Sequence, residues 1–154
     1  SRDMKDKGTI FDAAYYILNE IGWTTFMNLQ RLCYYAQAWS LAWDKFALFE
    51  EEFEAWASGP VCSEFYNIFE LPKDLNVNAD KLKPYISGYC FSKDEKETLD
   101  VIIKDYGDKE PHWLSELIRN EKPWLETRGG LSLKESSNTI ISKKVMLEYY
   151  SSLI

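Results

Sequence analysis

Cysteines and long apolar runs are scarce in this sequence, and their scarcity narrows the classes of protein it can be. The three cysteines, Cys33, Cys62 and Cys90, lie far apart among 154 residues, with no CxxC pair. That pattern predicts neither a disulfide framework nor a structural zinc site, so we expect reduced thiols in a cytoplasmic protein without a metal or other cofactor. Apolar runs of only a few residues predict no transmembrane helix and no membrane partner.

Histidine occurs once, as His112, so a serine or cysteine nucleophile would have a single imidazole partner to draw on. His112 follows Pro111 at a predicted helix start, where a solvent-facing or capping histidine is the common interpretation. The glycine patterns that cradle phosphate groups do not occur. The sequence therefore predicts a protein that is not an enzyme, and an enzyme of unknown type stays an alternative.

Basic residues are in the minority, with 18 Lys and Arg against 25 Asp and Glu and a net charge of −7. An acidic chain gains nothing from releasing counterions from a phosphate backbone, so binding to nucleic acid is disfavoured and a DNA-binding regulator is the weaker alternative. The run Glu50-Glu51-Glu52, with Glu54, has two interpretations. It is a set of carboxylates for a metal ion or, more commonly, a solvated acidic edge.

Aromatic residues are abundant, with six Trp, ten Tyr and eight Phe. They indicate either a ring-rich core with a few surface rings or a dedicated aromatic recognition surface. Large or cationic residues near helix ends and corners are the candidates for contact with a partner: Trp56, Tyr66, Trp113, Trp124 and Arg128. For Trp56 and Trp124 the alternative is a ring buried as a wedge under a loop.

Apolar periodicity predicts a mainly helical α+β fold, with five to six helices and a small β element of two or three strands in one compact domain, residues 9–154. We take residues 1–8 as an N-terminal tail, with Met4 as the natural start and the preceding residues left from cloning. Caps and breakers predict the helix positions: a helix from Thr9 to Gly22, a second from Thr25 to about Trp43, a third with Pro60 in its first turn, and later ones that follow Ser92, begin at Pro111 and end by Pro123, and follow Ser142.

Short strands are predicted in two places. Residues 46–56 alternate weakly in polarity, and their cluster of acids favours an edge strand over a central one. Residues 71–91 are the least helical region, and a second short strand is predicted within 85–91.

One long pattern carries a resemblance to a known family. It consists of the block from Leu29 to Trp39, Leu-Gln-Arg-Leu-Cys-Tyr-Tyr-Ala-Gln-Ala-Trp, followed by Glu54-Ala55-Trp56, Gly59-Pro60-Val61 and Pro123-Trp124 with Arg128. This pattern resembles the SocA-like antitoxin family, the Panacea domain, formerly grouped as phage-associated GepA-like proteins. The similarity extends over nearly the whole chain.

The resemblance implies an antitoxin that neutralises a cognate toxin by direct protein–protein binding in a bacterial or phage toxin–antitoxin system. An alternative that it also implies is a proteolytic adaptor that delivers the toxin to a cellular protease or unfoldase. Family members often carry a histidine where this chain has Ser40, and a Thr-His pair where it has Ile118-Arg119. These departures from the family pattern disfavour a metal-binding or hydrolytic function for this chain.

Overall fold

Helices dominate the computed structural model, which describes residues 7–69 and 75–154. The helices are α1 (Ile10–Ile21), α2 (Phe26–Asp44), α3 (Ser63–Ile68), α4 (Lys93–Tyr106), α5 (Pro111–Arg119), α6 (Lys122–Arg128) and α7 (Lys143–Ser152), with a 3-10 helix at Ala79–Tyr85. The strands are β1 (Trp23–Thr25), β2 (Phe53–Trp56), β3 (Gly59–Val61), β4 (Asn76–Asn78) and β5 (Ile140–Ile141). The predicted mainly helical α+β fold class is confirmed.

The strands form two small antiparallel sheets. One consists of β1 and β4, with Thr24 opposite Val77. The other has the order β3-β2-β5, in which Trp56 lies opposite Gly59 and Phe53 opposite Ile141. Strand β2 is therefore the central strand of the larger sheet.

Helix α2 forms the centre of the molecule because it is apolar on nearly every face. It packs against α1, α4, α5, α7 and β3. Two glutamines seven residues apart are buried on it, and each binds backbone groups of a neighbouring segment. Gln30 accepts from the Cys62 N–H and donates to the Cys62 carbonyl, while Gln37 does the same for the Leu48 N–H and the Phe49 carbonyl. The two amides satisfy buried backbone groups, and they attach the segments at residues 48–49 and 62 to α2.

Capping residues begin several helices where the sequence predicts them. The Thr9 hydroxyl accepts from the Asp12 N–H, and the Asp12 carboxylate accepts from the Thr9 N–H, which completes a capping box. Ser92 and Glu95 form a second capping box at the start of α4. Gly22 ends α1 with φ at 89°, a conformation that favours glycine.

The predicted edge position of the strand in residues 46–56 is wrong, because β2 has a partner on each side. Only Glu54 of the acidic run lies on the strand. Glu50 pairs with Lys7, and Glu52 pairs with Lys143, at 2.7 and 2.9 Å. The other acids therefore lie before the strand, where they do not interfere with its pairing.

The predicted place of Pro60 in the first turn of a helix is also wrong. Ala57 and Ser58 form a two-residue turn, Gly59 follows with φ at 119°, and Pro60 lies within β3. A glycine at the end of a tight turn permits a hairpin, and a proline without an N–H is tolerated on an outer strand. Helix α3 begins only at Ser63.

Two further predictions in the second half of the chain are wrong. Residues 85–91 form no strand, whereas Asn76–Asn78 form β4 just before the 3-10 helix. Pro123 does not end the helix that begins at Pro111, because it lies in the first turn of α6, where a missing N–H costs nothing. Pro72, which belongs to the predicted non-helical region, lies outside the described residues.

Candidate partner-binding surface

A half-buried aromatic pair lies at the end of β2, where the β2–β3 hairpin reaches the surface. The Trp56 ring meets the Tyr66 ring of α3 edge to face, with ring centroids 4.8 Å apart. The Trp56 indole N–H donates to Glu54 Oε1 at 2.9 Å. Trp56 and Tyr66, two of the predicted contact residues, are thus brought together by the hairpin and the short helix that follows it.

Trp124 and Arg128 lie directly behind this pair. The surface access expected of Arg128 is wrong, and for Trp124 the structure shows the alternative, a buried ring. Trp124 is 0% exposed and Arg128 is 5% exposed. The Trp124 indole donates to the Trp56 carbonyl at 2.8 Å, and Arg128 Nη1 donates to the Ala55 carbonyl at the same distance. The guanidinium also lies 4.7 Å from the centroid of the Trp124 ring. Both side chains therefore position the end of β2 from inside.

The pairing pattern of β2 explains why the Arg128 guanidinium is buried. Ala55 donates its N–H to the Thr139 carbonyl, but the Thr139 N–H donates to the Ser137 hydroxyl. In a regular antiparallel pair, the Thr139 N–H would donate to the Ala55 carbonyl. Arg128 supplies the missing donor, since a buried carbonyl without a partner would destabilise the fold.

Arg31, which the sequence analysis did not single out, joins the hairpin turn to the start of α5. Its side chain is 8% exposed, and its Nη2 donates to the Ser58 carbonyl at 3.1 Å. Its Nη1 lies 3.5 Å from the Pro111 carbonyl. Burial, with the nearby charge of Arg119, lowers the pKa of Arg31 to about 10, so the guanidinium stays protonated at neutral pH. Arg31 lies within the Leu29–Trp39 block, among other polar residues of α2, and no local pattern distinguishes it.

Arg31 also determines where Trp113, the remaining predicted contact residue, lies. Trp113 lies two residues after Pro111 on α5 and is 46% exposed. Because one guanidinium binds both Ser58 and Pro111, the start of α5 lies beside the hairpin turn. The structure therefore brings four of the five predicted residues together at β2, with Trp113 on the adjoining helix.

A groove of about 640 Å³ opens beside Trp56, between the hairpin and the loop that precedes β5. Five of the seven residues that line it carry a side-chain oxygen, namely Glu54, Ser58, Ser136, Ser137 and Asn138, and Trp56 and Ala57 complete the lining. Glu54 is the one formally charged residue in this set. The groove therefore forms a concave surface next to the Trp56–Tyr66 pair.

A second polar cluster lies away from this surface, where α7 meets α2. The hydroxyls of Tyr35 and Tyr150 donate to Glu121 Oε1 at 2.9 and 2.8 Å, and Tyr150 also lies 3.2 Å from the Tyr34 hydroxyl. Burial raises the pKa of Glu121, although the two tyrosine hydrogen bonds lower it. The cluster ties α7 and the α5–α6 connection to α2.

The raised pKa of Glu121 predicts how stability depends on pH. A carboxyl group with a raised pKa in the folded state stabilises that state while protonated, and this contribution is lost as pH rises through the raised pKa. Glu121→Gln removes the titration. We expect the variant to gain stability relative to the wild type as pH rises from 4 to 7, measured by chemical denaturation. Glu126→Gln, at an exposed position, controls for the lost charge; an equal trend there would contradict the prediction.

The other candidates for chemistry are His112 and the buried thiols. His112 is exposed, with its Nε2 3.4 Å from a Glu116 oxygen. Cys33 and Cys62 are buried, and burial raises the pKa of the Cys33 thiol and brings that of Cys62 to about 11. In residues 7–69 and 75–154, no three His, Cys, Asp or Glu residues are grouped so that they could hold a metal ion. In the same ranges, no helix is both long and apolar enough to cross a bilayer.

Comparison with known proteins supports the resemblance that the sequence carries. Neither the curated proteins nor the solved structures gave a match. The family model described as antitoxin SocA-like, Panacea domain, matches residues 29–125, which is more than half of the chain. The matched segment runs from Leu29 in α2 to Leu125 in α6 and contains Trp56, Tyr66, Trp113 and Trp124. Arg128 and the groove residues 136–138 lie beyond it. The chain therefore belongs to the SocA-like antitoxin, Panacea domain family.

Proposed function

We propose that this protein is the antitoxin of a bacterial or phage toxin–antitoxin system and neutralises its toxin by direct binding. Membership of the family carries the proposal, since the matched residues 29–125 include the aromatic surface. The partner is a toxin protein, and the surface centred on Trp56 and Tyr66 is where we place the contact. Tryptophan and tyrosine provide large, rigid contact area with a polar group, which is why they anchor many protein interfaces.

Buried side chains hold the backbone of the contact surface in place, which lowers the entropic cost of ordering it when a partner binds. This favours a binding role. Trp124 and Arg128 hold the backbone of Trp56 and Ala55, and Arg31 holds the Ser58 turn. A surface that is already ordered loses little conformational entropy when a partner docks. Trp113 extends the same surface onto α5.

Charge gives further support. The net charge of −7 attracts a basic partner and repels nucleic acid, so electrostatic steering favours a cationic toxin. The buried thiols of Cys33 and Cys62 suit a reducing cytoplasm, which is where we place the complex.

Trp56→Ala is the direct test of the surface. We expect the variant to bind the protein encoded by the adjacent reading frame at least tenfold more weakly, because the central anchor of the contact is lost. Isothermal titration calorimetry measures the affinity. In cells, the variant should fail to rescue growth when that neighbouring protein is expressed.

A matched tryptophan variant controls for changes in folding. Trp43→Ala removes an exposed ring that lies twelve residues along α2 from Arg31, about 18 Å away. It should leave affinity and rescue unchanged. Unchanged affinity of Trp56→Ala would contradict the proposed surface, and a neighbouring protein that is harmless would contradict the antitoxin role. Rescue that disappears in cells lacking a protease would show delivery for degradation in place of neutralisation.

A further inference from the structure

Glu54 differs from the other acids of the run in having no cationic or backbone partner. Glu50 and Glu52 pair with Lys7 and Lys143, and Glu51 accepts from the Ile10 N–H at 3.1 Å. Glu54 Oε1 accepts from the Trp56 indole, and Glu54 forms no ion pair in the described part of the chain. Its half-buried carboxylate therefore brings an uncompensated negative charge to the groove beside Trp56.

The rest of the groove lining carries no cation. Its other polar residues are Ser58, Ser136, Ser137 and Asn138, whose uncharged side chains can each accept a hydrogen bond. Glu54 accepts from the Trp56 indole N–H, and the Tyr66 ring packs edge to face with the Trp56 ring. The negative face of an indole attracts cations, and a carboxylate that accepts the indole N–H adds to that attraction.

We infer that this groove binds an arginine side chain of the partner protein, an inference that rests on the proposed function and deepens it. A guanidinium is planar, so it stacks on an indole, and its five N–H donors match a lining of acceptors around one carboxylate. The charge of Glu54 compensates the arginine, and the volume of about 640 Å³ accommodates the side chain together with adjoining partner residues. A lysine ammonium would neither stack nor use as many acceptors.

The test uses two short peptides that differ only in charge. Acetyl-Gly-Arg-Gly-amide is the probe, and the same peptide with citrulline in place of arginine is its neutral control. Binding to the whole chain is followed by the ¹H–¹⁵N signal of the Trp56 indole, assigned with Trp56→Phe. We expect a saturable shift with the arginine peptide and at least fivefold weaker binding of the citrulline peptide.

Glu54→Gln tests the carboxylate, because glutamine keeps an oxygen that accepts the indole N–H but has no charge. We expect at least fivefold weaker binding of the arginine peptide. Glu148→Gln, with the same charge change at an exposed site on α7, should leave binding unchanged. Thermal unfolding verifies that Glu54→Gln is folded, and the citrulline comparison on the wild type needs no variant.

Each outcome decides the inference separately from the proposed function. Absence of a saturable shift, equal binding of both peptides, or full affinity in Glu54→Gln would overturn the arginine site. If Trp56→Ala still abolished toxin binding, the proposed function would stand without it. If the arginine peptide bound as expected but no toxin bound the chain, the groove would stand and the antitoxin role would fall.

Discussion

Replacing Trp124 with alanine should lower the free energy of unfolding by about 3–5 kcal/mol, the range for deleting a large buried ring. Trp124 is 0% exposed and packs in the main core. The substitution would leave a cavity beneath β2 and would also leave the Trp56 carbonyl without its indole donor. It would further remove the ring against which the Arg128 guanidinium packs. Urea denaturation followed by circular dichroism measures the change.

Two comparisons separate the causes of that loss. Trp124→Phe keeps most of the volume but not the N–H donor, so we expect a smaller loss that reflects chiefly the hydrogen bond. Trp113→Ala removes an exposed ring and should change stability by less than about 1 kcal/mol. Trp124→Ala with full stability and weakened toxin binding would contradict the structure, because it would place the ring on the surface.

Gln37→Met is the second large effect, with an expected loss of about 2–5 kcal/mol. Methionine matches glutamine in length but supplies neither the donor for the Phe49 carbonyl nor the acceptor for the Leu48 N–H. Both backbone groups are bound by Gln37 in the interior at 2.7 Å, and each unsatisfied group costs about 1–3 kcal/mol.

The same denaturation assay checks this expectation. Lys96→Met, at an exposed position of α4, controls for adding a methionine to a helix and should be nearly neutral. Gln30→Met removes the two hydrogen bonds to Cys62 and should be destabilising for the same reason. A stable Gln37→Met variant would show that the segment around Phe49 does not need its attachment to α2.

The helix starts were accessible from the sequence, whereas the hairpin was not. A cap such as Thr9 with Asp12, or Ser92 with Glu95, acts within four residues, so its effect is visible in a short stretch of sequence. Gly59-Pro60 suits a helix start and a hairpin equally well in local terms. The pairing of β2 with β5 is decided by contact with residues 140–141, which lie more than eighty positions away.

The sequence identified residues that lie together in the candidate site, but it did not show which of them are exposed and which are buried. Trp56 and Tyr66 lie at a corner of the chain, where the sequence placed them, and the structure brings their rings into contact. Trp124 and Arg128 share the features that identified the other candidates, namely a large or cationic side chain near a helix end. Arg128 binds an Ala55 carbonyl that lacks its partner on β5, and Trp124 packs in the core, and no local pattern reveals either contact.

Local order in the chain therefore determined the mainly helical fold class, the ends of several helices and the family, because caps, periodicity and the Leu29–Trp39 block are all short-range features. The tertiary structure alone decided which aromatic residues face outward. Trp124 and Arg128 donate to carbonyls 68 and 73 positions away, so their burial is set by contacts with a distant strand. For the same reason Arg31, inconspicuous in sequence, joins two surface segments that carry the proposed contact.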